Sequence, residues 1–355
     1  MSDEFRELLK KIGSGTHTSK NLSRQESAIA IEMMIEEEAT PAQIGAFMIA
    51  HRIKRPTPEE LAGILDAYDQ LSNKLSIPAN TFSQTPVVFG YPYDGRSRTV
   101  PVSPLTMLIL AIAEVPLILH GSDCLPTKYG IPLVQIWQSF GIDFTKFTLP
   151  EAQKFLHKTR FGFFYVPKHF PLAHKLTPYR EQIGKRPTLS TAELVWSPLQ
   201  EDTLQISGFV HPPTEERFAH TFKLRNTENF TTVKGLEGSC DLSCNRTAIV
   251  GVNRSGQEFT RLLINPYDYG LNGHDLGLES LAQLNQELTK VLEGKQSPIT
   301  PAAIFNGGFY LWHLGICSSI EAGLALAEEM IVKLQLQDKL DQLRKEALYL
   351  SSWID

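Results

Sequence analysis

The chain has 355 residues, 42% of them hydrophobic and 21% charged, enough for a sizeable core and for two domains or one large α/β unit with a helical attachment. Lys and Arg number 34 and Asp and Glu 39, so the formal charge of −5 excludes a wholly basic nucleic-acid surface but not a local basic patch. Cys124, Cys240, Cys244 and Cys317 are too few and too scattered for a disulfide framework. The N-terminus lacks a signal peptide's apolar region, and the run 105–119 is interrupted by Glu114 and Pro116, so a soluble, cytoplasmic protein with no membrane partner is expected.

In chain order, residues 3–12 read as a short amphipathic helix, broken by the Gly/Ser/Thr-rich stretch 13–21. Ser23 stands three residues before Glu26, a capping-box spacing ahead of a periodic run. Thr40-Pro41 and Thr57-Pro58-Glu59-Glu60 open two more helices, so residues 1–75 read as a helical bundle segment. The apolar stripe of Ile29, Met33, Ile44, Phe47 and Met48 looks too large for these helices to cover alone and predicts a two-fold contact.

After Pro78 the pattern changes. A strand at 85–90, an apolar helix at 106–114 and a strand at 116–121 follow the grammar of a largely parallel sheet. Further helices are expected at 133–140, 176–186 and 213–225. Residues 161–170 read as a strand or short helix, and strands are expected at 204–210, 230–235, 247–252 and 258–264. The C-terminal part reads as helices over 278–294, 302–315 and 318–346.

Four places could carry chemistry. The loop at 90–98, with Gly90, Asp94, Gly95, Arg96 and Arg98, could hold a phosphate on its backbone N–H groups, or be simply a turn. In the loop at 120–130, His120, Gly121, Ser122 and Lys128 could contact a ligand; otherwise His120 meets a strand-end carbonyl and Lys128 is solvated. Arg180 could clamp a carboxylate or phosphate, or pair with a nearby glutamate at the surface. Glu237 and Asp241, four apart, could share a divalent cation. Cys240 and Cys244 read as free buried thiols rather than a zinc pair.

The run LSRQESAIAIEMMIEEEATPAQIGAFMIAHRIKRPTPEELAGI at 22–64 resembles the N-terminal helices of the anthranilate phosphoribosyltransferase family, family 3 of the glycosyl transferases. The resemblance continues through 161–186 and 302–331. It implies a helical N-terminal domain over 1–80, completed by helices near 170–186. A mixed, mostly parallel α/β domain with helices on both sides would follow, made of 81–169 and 187–355. It also implies a homodimer through the N-terminal helices.

The family's diphosphate loop, Gly-Thr-Gly-Gly-Asp-Gly, matches Gly90, Tyr91, Pro92, Tyr93, Asp94 and Gly95, where Pro92 lacks an N–H and the tyrosines add bulk. Lys-His-Gly-Asn becomes Leu119, His120, Gly121 and Ser122, and a later Ser-Ser-Lys is echoed by Pro126, Thr127 and Lys128. The family's magnesium-binding Asp-Glu pair falls on Cys240 and Asp241. Arg180 matches its anthranilate-facing arginine. Gly235-Leu236-Glu237-Gly238 is closer to a divergent second TrpD-like branch.

Arg180 and His120 are then the catalytic candidates. Gly90, Asp94, Gly95, Gly121, Ser122 and Lys128 would hold phosphoribosyl pyrophosphate (PRPP), and Glu237 and Asp241 would hold Mg²⁺, unless no cofactor is used. The expected function is a phosphoribosyltransferase fold with a degenerate PRPP loop that does not transfer to anthranilate. Arg96 and Arg98 swinging in to replace the lost donors would restore transfer. The alternative is a non-catalytic homodimer binding nucleic acid or a nucleotide. Its cations would come from Lys10, Lys11, Lys20, Arg24, Arg52, Lys54, Arg55, Arg96, Arg98 and Lys128.

Overall fold

Four helices open the chain, and three of them start where a side-chain oxygen meets the unpaired N–H groups of a first turn. In the computed structural model, which describes residues 3–15, 17–78, 81–271 and 273–351, these are α1 (Asp3–Gly13), α2 (Arg24–Ile35), α3 (Pro41–Lys54) and α4 (Pro58–Leu71). Ser23, Thr40 and Thr57 close capping boxes with Glu26, Gln43 and Glu60, each cap contributing about 1 kcal/mol. Met33, Ile44, Phe47 and Met48 are buried within the chain, with the Phe5 ring of α1 5.4 Å from Phe47. The apolar stripe is covered by its own bundle and so supplies no argument for a two-fold contact.

The α/β part runs β1 (Val87–Gly90), α5 (Ser103–Ile112), β2 (Leu117–Gly121), α6 (Leu133–Ser139), α7 (Leu149–Thr159) and β3 (Phe161–Tyr165). Short helices follow: α8 (Val166–His169), α9 (Pro171–His174), α10 (Thr177–Ile183) and α11 (Leu189–Ala192). Then come β4 (Leu204–Gly208), α12 (Pro212–Leu224), β5 (Phe230–Val233), β6 (Ala248–Asn253) and β7 (Thr260–Ile264). Four helices close the chain: α13 (Leu281–Leu292), α14 (Thr300–His313), α15 (Ile320–Val332) and α16 (Gln335–Ser351).

The strands form one mixed sheet in the order β3-β2-β1-β4-β5-β6-β7. β1 to β5 pair in parallel, and β6 and β7 add antiparallel. The chain moves outward from β1 to β3 and returns to the other side of β1, where Gly90 pairs with Ser207. That reversal makes a crevice at the carboxyl ends of the strands, the usual ligand position in such sheets. β1, β2 and β3 are buried along their whole length, and α5 is packed between α14 and α16.

Three elements differ from the pattern-based reading, the short α11 being one. α7 is unanticipated, although Thr148 and Glu151 form another capping box. The expected helix over 318–346 is two helices, broken at Leu334, whose φ of 58° is left-handed. Leu334 packs where a side chain on Gly294 would otherwise sit, a long-range contact that periodicity cannot reveal. Residues 177–183 lie against the N-terminal bundle, α10 on α3. The boundary expected after residue 80 falls outside the described residues. Among the described residues no helix is long and apolar enough to cross a membrane.

Candidate ligand site at the carboxyl ends of the strands

Three loops meet in the crevice: 91–99 after β1, 122–131 after β2 and 234–246 after β5. The first two are sewn together by backbone bonds. Gly130 N–H donates to Asp94 O at 3.0 Å, Arg96 N–H to Ile131 O at 3.1 Å and Ile131 N–H to Arg96 O at 2.8 Å. The glycines of the expected cradle are close to backbone. A Cβ on Gly90 would lie 2.0 Å from Leu194 O, and one on Gly95, at φ +72°, 2.5 Å from Ile131. Both glycines allow the chain to press on itself.

The first loop does form an anion nest, but at residues 97–99, beyond the glycines. The successive N–H groups of Ser97, Arg98 and Thr99 donate to the Glu237 carboxylate at 3.1, 3.0 and 3.1 Å. Successive N–H groups aimed at one point bind an anion, and here the anion belongs to the protein. Glu237 holds a left-handed φ of 56°, unusual for a residue with a side chain. Burial would raise its carboxyl, but Arg96, these N–H groups and Lys128 outweigh it and hold the group at about 2.

Arg96 joins Glu237 to Asp241. Its guanidinium lies 3.2 Å from Glu237 and 2.7 Å from Asp241, and it donates to Ser239 Oγ at 2.9 Å and to the Thr99 hydroxyl. Asp241 is fully buried; burial pushes its carboxyl up while Arg96 opposes. The carboxylates read from sequence as a metal pair are thus bridged by an arginine, which already supplies positive charge between them. Among the described residues no group of three or more His, Cys, Asp or Glu side chains is placed to hold a metal.

Lys128 also faces inward, 3.4 Å from the Glu237 carboxylate and 3.3 Å from Gly95 O, instead of being solvated. Asp94 pairs with Arg186, a residue the sequence reading did not single out. Arg98 is exposed, and only its backbone serves the nest. Cys240 is fully buried, its thiol 3.4 Å from Ile206 O and pushed well up by burial, in keeping with a free structural thiol.

Arg180 and His120 reach the same crevice from the side. Arg180, on α10, is buried and paired with Glu193, with Nη1 3.2 Å from a carboxylate oxygen. A glutamate partner is what the plainer reading of Arg180 expects, but buried rather than at the surface. The side chain lines a cavity of about 10 Å³ together with Tyr68, Tyr93, Ser122 and Trp196. His120, the last residue but one of β2, is fully buried, and its Nδ1 shares a 2.5 Å hydrogen bond with the Tyr93 hydroxyl. Burial lowers His120 to about 3, so its ring is neutral at ordinary pH. Gly121 closes β2, and a Cβ on it would lie 3.4 Å from the Phe163 ring.

Most of the cations considered for a polyanion surface have carboxylate partners. Lys10 pairs with Glu7, Lys11 with Glu26, Arg24 with Asp66 and Lys54 with Glu60, besides Arg96 and Lys128 above.

An open, mostly parallel sheet with a crevice at its reversal, flanked by a helical bundle, defines the class: an α/β protein whose strand-end loops gather at that crevice. The chain belongs to a glycosyl transferase family, matching its helical bundle domain over residues 6–72 and its α/β domain over 94–333. It is 28% identical to anthranilate phosphoribosyltransferase of Rhodopseudomonas palustris, over 96% of this chain and 97% of that one. It is also 25% identical to an uncharacterized protein of Aquifex aeolicus, over 92% and 99%. In fold it is similar to anthranilate phosphoribosyltransferase from Saccharomyces cerevisiae in complex with PRPP and Mg, with a TM-score of 0.80 at 15% identity, covering 97% and 98% of the two chains.

Proposed function

We propose that this protein retains the phosphoribosyltransferase fold without PRPP- and Mg²⁺-dependent transfer to anthranilate, its crevice being self-neutralised and closed to a diphosphate. The observation that carries this reading is the Glu237 carboxylate seated on the N–H groups of residues 97–99. A diphosphate entering that nest must displace a carboxylate already held by three backbone donors and two cations.

Mg²⁺ fares no better. It requires oxygen ligands in near-octahedral array, and Asp241 and Glu237 present theirs to Arg96 at 2.7 and 3.2 Å. The residues present therefore do not fit the ion. The inward turn of Arg96 replaces the metal's charge rather than the lost loop donors. Beside Arg180, a space of about 10 Å³ holds no aromatic acid, and Glu193 already takes the guanidinium.

Calorimetric titration of the protein with PRPP and Mg²⁺, alongside a fluorescence assay of anthranilate consumption, tests this reading. The expected result is neither saturable heat at micromolar ligand nor turnover. Micromolar binding with steady consumption of anthranilate would establish ordinary transferase chemistry instead.

A further inference from the structure

The amino ends of the parallel strands form the opposite pole of the sheet. A cavity of about 280 Å³ opens there, lined by Thr85 and Asn229 ahead of β1 and β5, by Arg254 after β6, and by His313 at the end of α14. Val115 and Leu314 contribute apolar wall.

Arg254 is half-buried, and every group it touches is neutral. Nη1 donates to Asn253 O at 3.1 Å and, more weakly, to Phe230 O and Thr231 Oγ1 at 3.4 Å. Nη2 lies 3.0 Å from His313 Nε2, which also lies 2.8 Å from the Thr231 hydroxyl. Among the described residues no carboxylate comes within 4.0 Å of Arg254, and its Nε–H has no partner. Burial, with Arg254 adding to it, holds His313 at about 3, so the imidazole is neutral and, among the described residues, Arg254 is the one formal charge lining the cavity.

A half-buried guanidinium with no counter-charge is costly, and an oxyanion on its open edge relieves that cost. The charge and the walls restrict the oxyanion. A single positive charge matches a monoanion, whereas a phosphate dianion would leave net negative charge against apolar surface. The apolar wall favours a ligand with a hydrocarbon body. We infer that this cavity binds a small organic monocarboxylate, its carboxylate on Arg254 and its apolar body against Val115 and Leu314. The site is separate from the Glu237 nest and involves no phosphoribosyl chemistry.

Titration of the full chain with sodium benzoate at low ionic strength, by calorimetry and by the His313 imidazole NMR signals, tests the assignment. Benzoate is expected to bind saturably and shift those signals, with affinity falling about tenfold or more in Arg254→Gln and less in Arg254→Lys, which keeps the charge but not the fork. Arg52→Gln, on the exposed face of α3, should leave binding unchanged. No saturable binding up to about 10 mM, or equal binding by Arg254→Gln and wild type, would overturn the site. Tighter Arg254-dependent binding of inorganic phosphate than of benzoate would overturn the monocarboxylate class.

Discussion

Arg96 and Arg254, at opposite poles of the sheet, are treated in opposite ways. At the carboxyl ends of the strands Arg96 holds Glu237 and Asp241, Arg180 holds Glu193 and Arg186 holds Asp94. At the amino ends Arg254 has only carbonyls, a hydroxyl and a neutral imidazole. Internal pairing closes a site, because each cation already has its anion and any ligand must compete with it. An unpaired, half-buried cation leaves a site that a ligand completes. The pole that the fold family leads one to inspect first is the self-satisfied one.

The largest expected effect comes from breaking that pairing. Arg96→Met strands the buried Asp241 carboxylate and removes a partner of Glu237, and should cost about 3–5 kcal/mol in urea denaturation. Adding Glu237→Gln and Asp241→Asn to that variant should recover much of the loss. If Arg254→Gln cost as much as Arg96→Met, the contrast between the poles would disappear.

Emptying the nest is the second way to sharpen the comparison. Glu237→Ala removes the resident anion while leaving the N–H groups of Ser97, Arg98 and Thr99 and the Arg96 and Lys128 cations in place. Inorganic phosphate should then bind about tenfold more tightly than to wild type, read by calorimetry. Unchanged phosphate affinity would mean that something other than this carboxylate closes the pole.

Acid should weaken the fold in two stages. His120 and His313 are held at about 3, below the ordinary histidine value of 6.5, so the unfolded chain binds protons that the folded chain refuses. Stability should fall from pH 6.5 toward 3, by up to about 1.4 kcal/mol per pH unit for each ring. Glu60 and Glu237 lie at about 2 against 4.5, so their contribution is present above 4.5 and is lost as pH drops from 4.5 toward 2. His120→Asn should reduce the upper-stage slope in pH-dependent denaturation; an unchanged slope would mean that the ring is not kept neutral.

The smallest effect is expected at the open pole. Arg254→Gln should change stability by only about 1 kcal/mol, since it removes neutral hydrogen bonds and leaves no carboxylate stranded. A loss of several kcal/mol would show that Arg254 serves the fold rather than a ligand.

Much of the architecture was legible in the chain. The capping spacings at Ser23, Thr40 and Thr57 mark helix starts because the groups that satisfy a first turn are local. The same local signal stands at Thr148 and Glu151, ahead of α7. The loop at 90–98 was legible as either an anion site or a plain turn, since Gly, Asp and Arg after a strand fit both. Its occupant was not: Glu237 meets the N–H groups of Ser97 and Thr99 from 140 and 138 residues away. Nor does spacing reveal Glu193 as the partner of Arg180, or Arg186 as the partner of Asp94. Glu237 and Asp241 had the spacing of a metal pair, but spacing along a loop does not say which cation lies between two carboxylates.

The sequence by itself determined where helices begin, which runs are buried as strands, and which loops carry the charged residues, because these depend on neighbours a few positions apart. Only the tertiary structure decided which charges meet. A hydrogen bond needs its partners within about 3.5 Å, and Coulomb attraction between exposed charges is screened over about 10 Å. The loops after β1, β2 and β5 come that close only when the sheet brings their carboxyl ends together. The same folding leaves Arg254 at the amino ends with no carboxylate within reach.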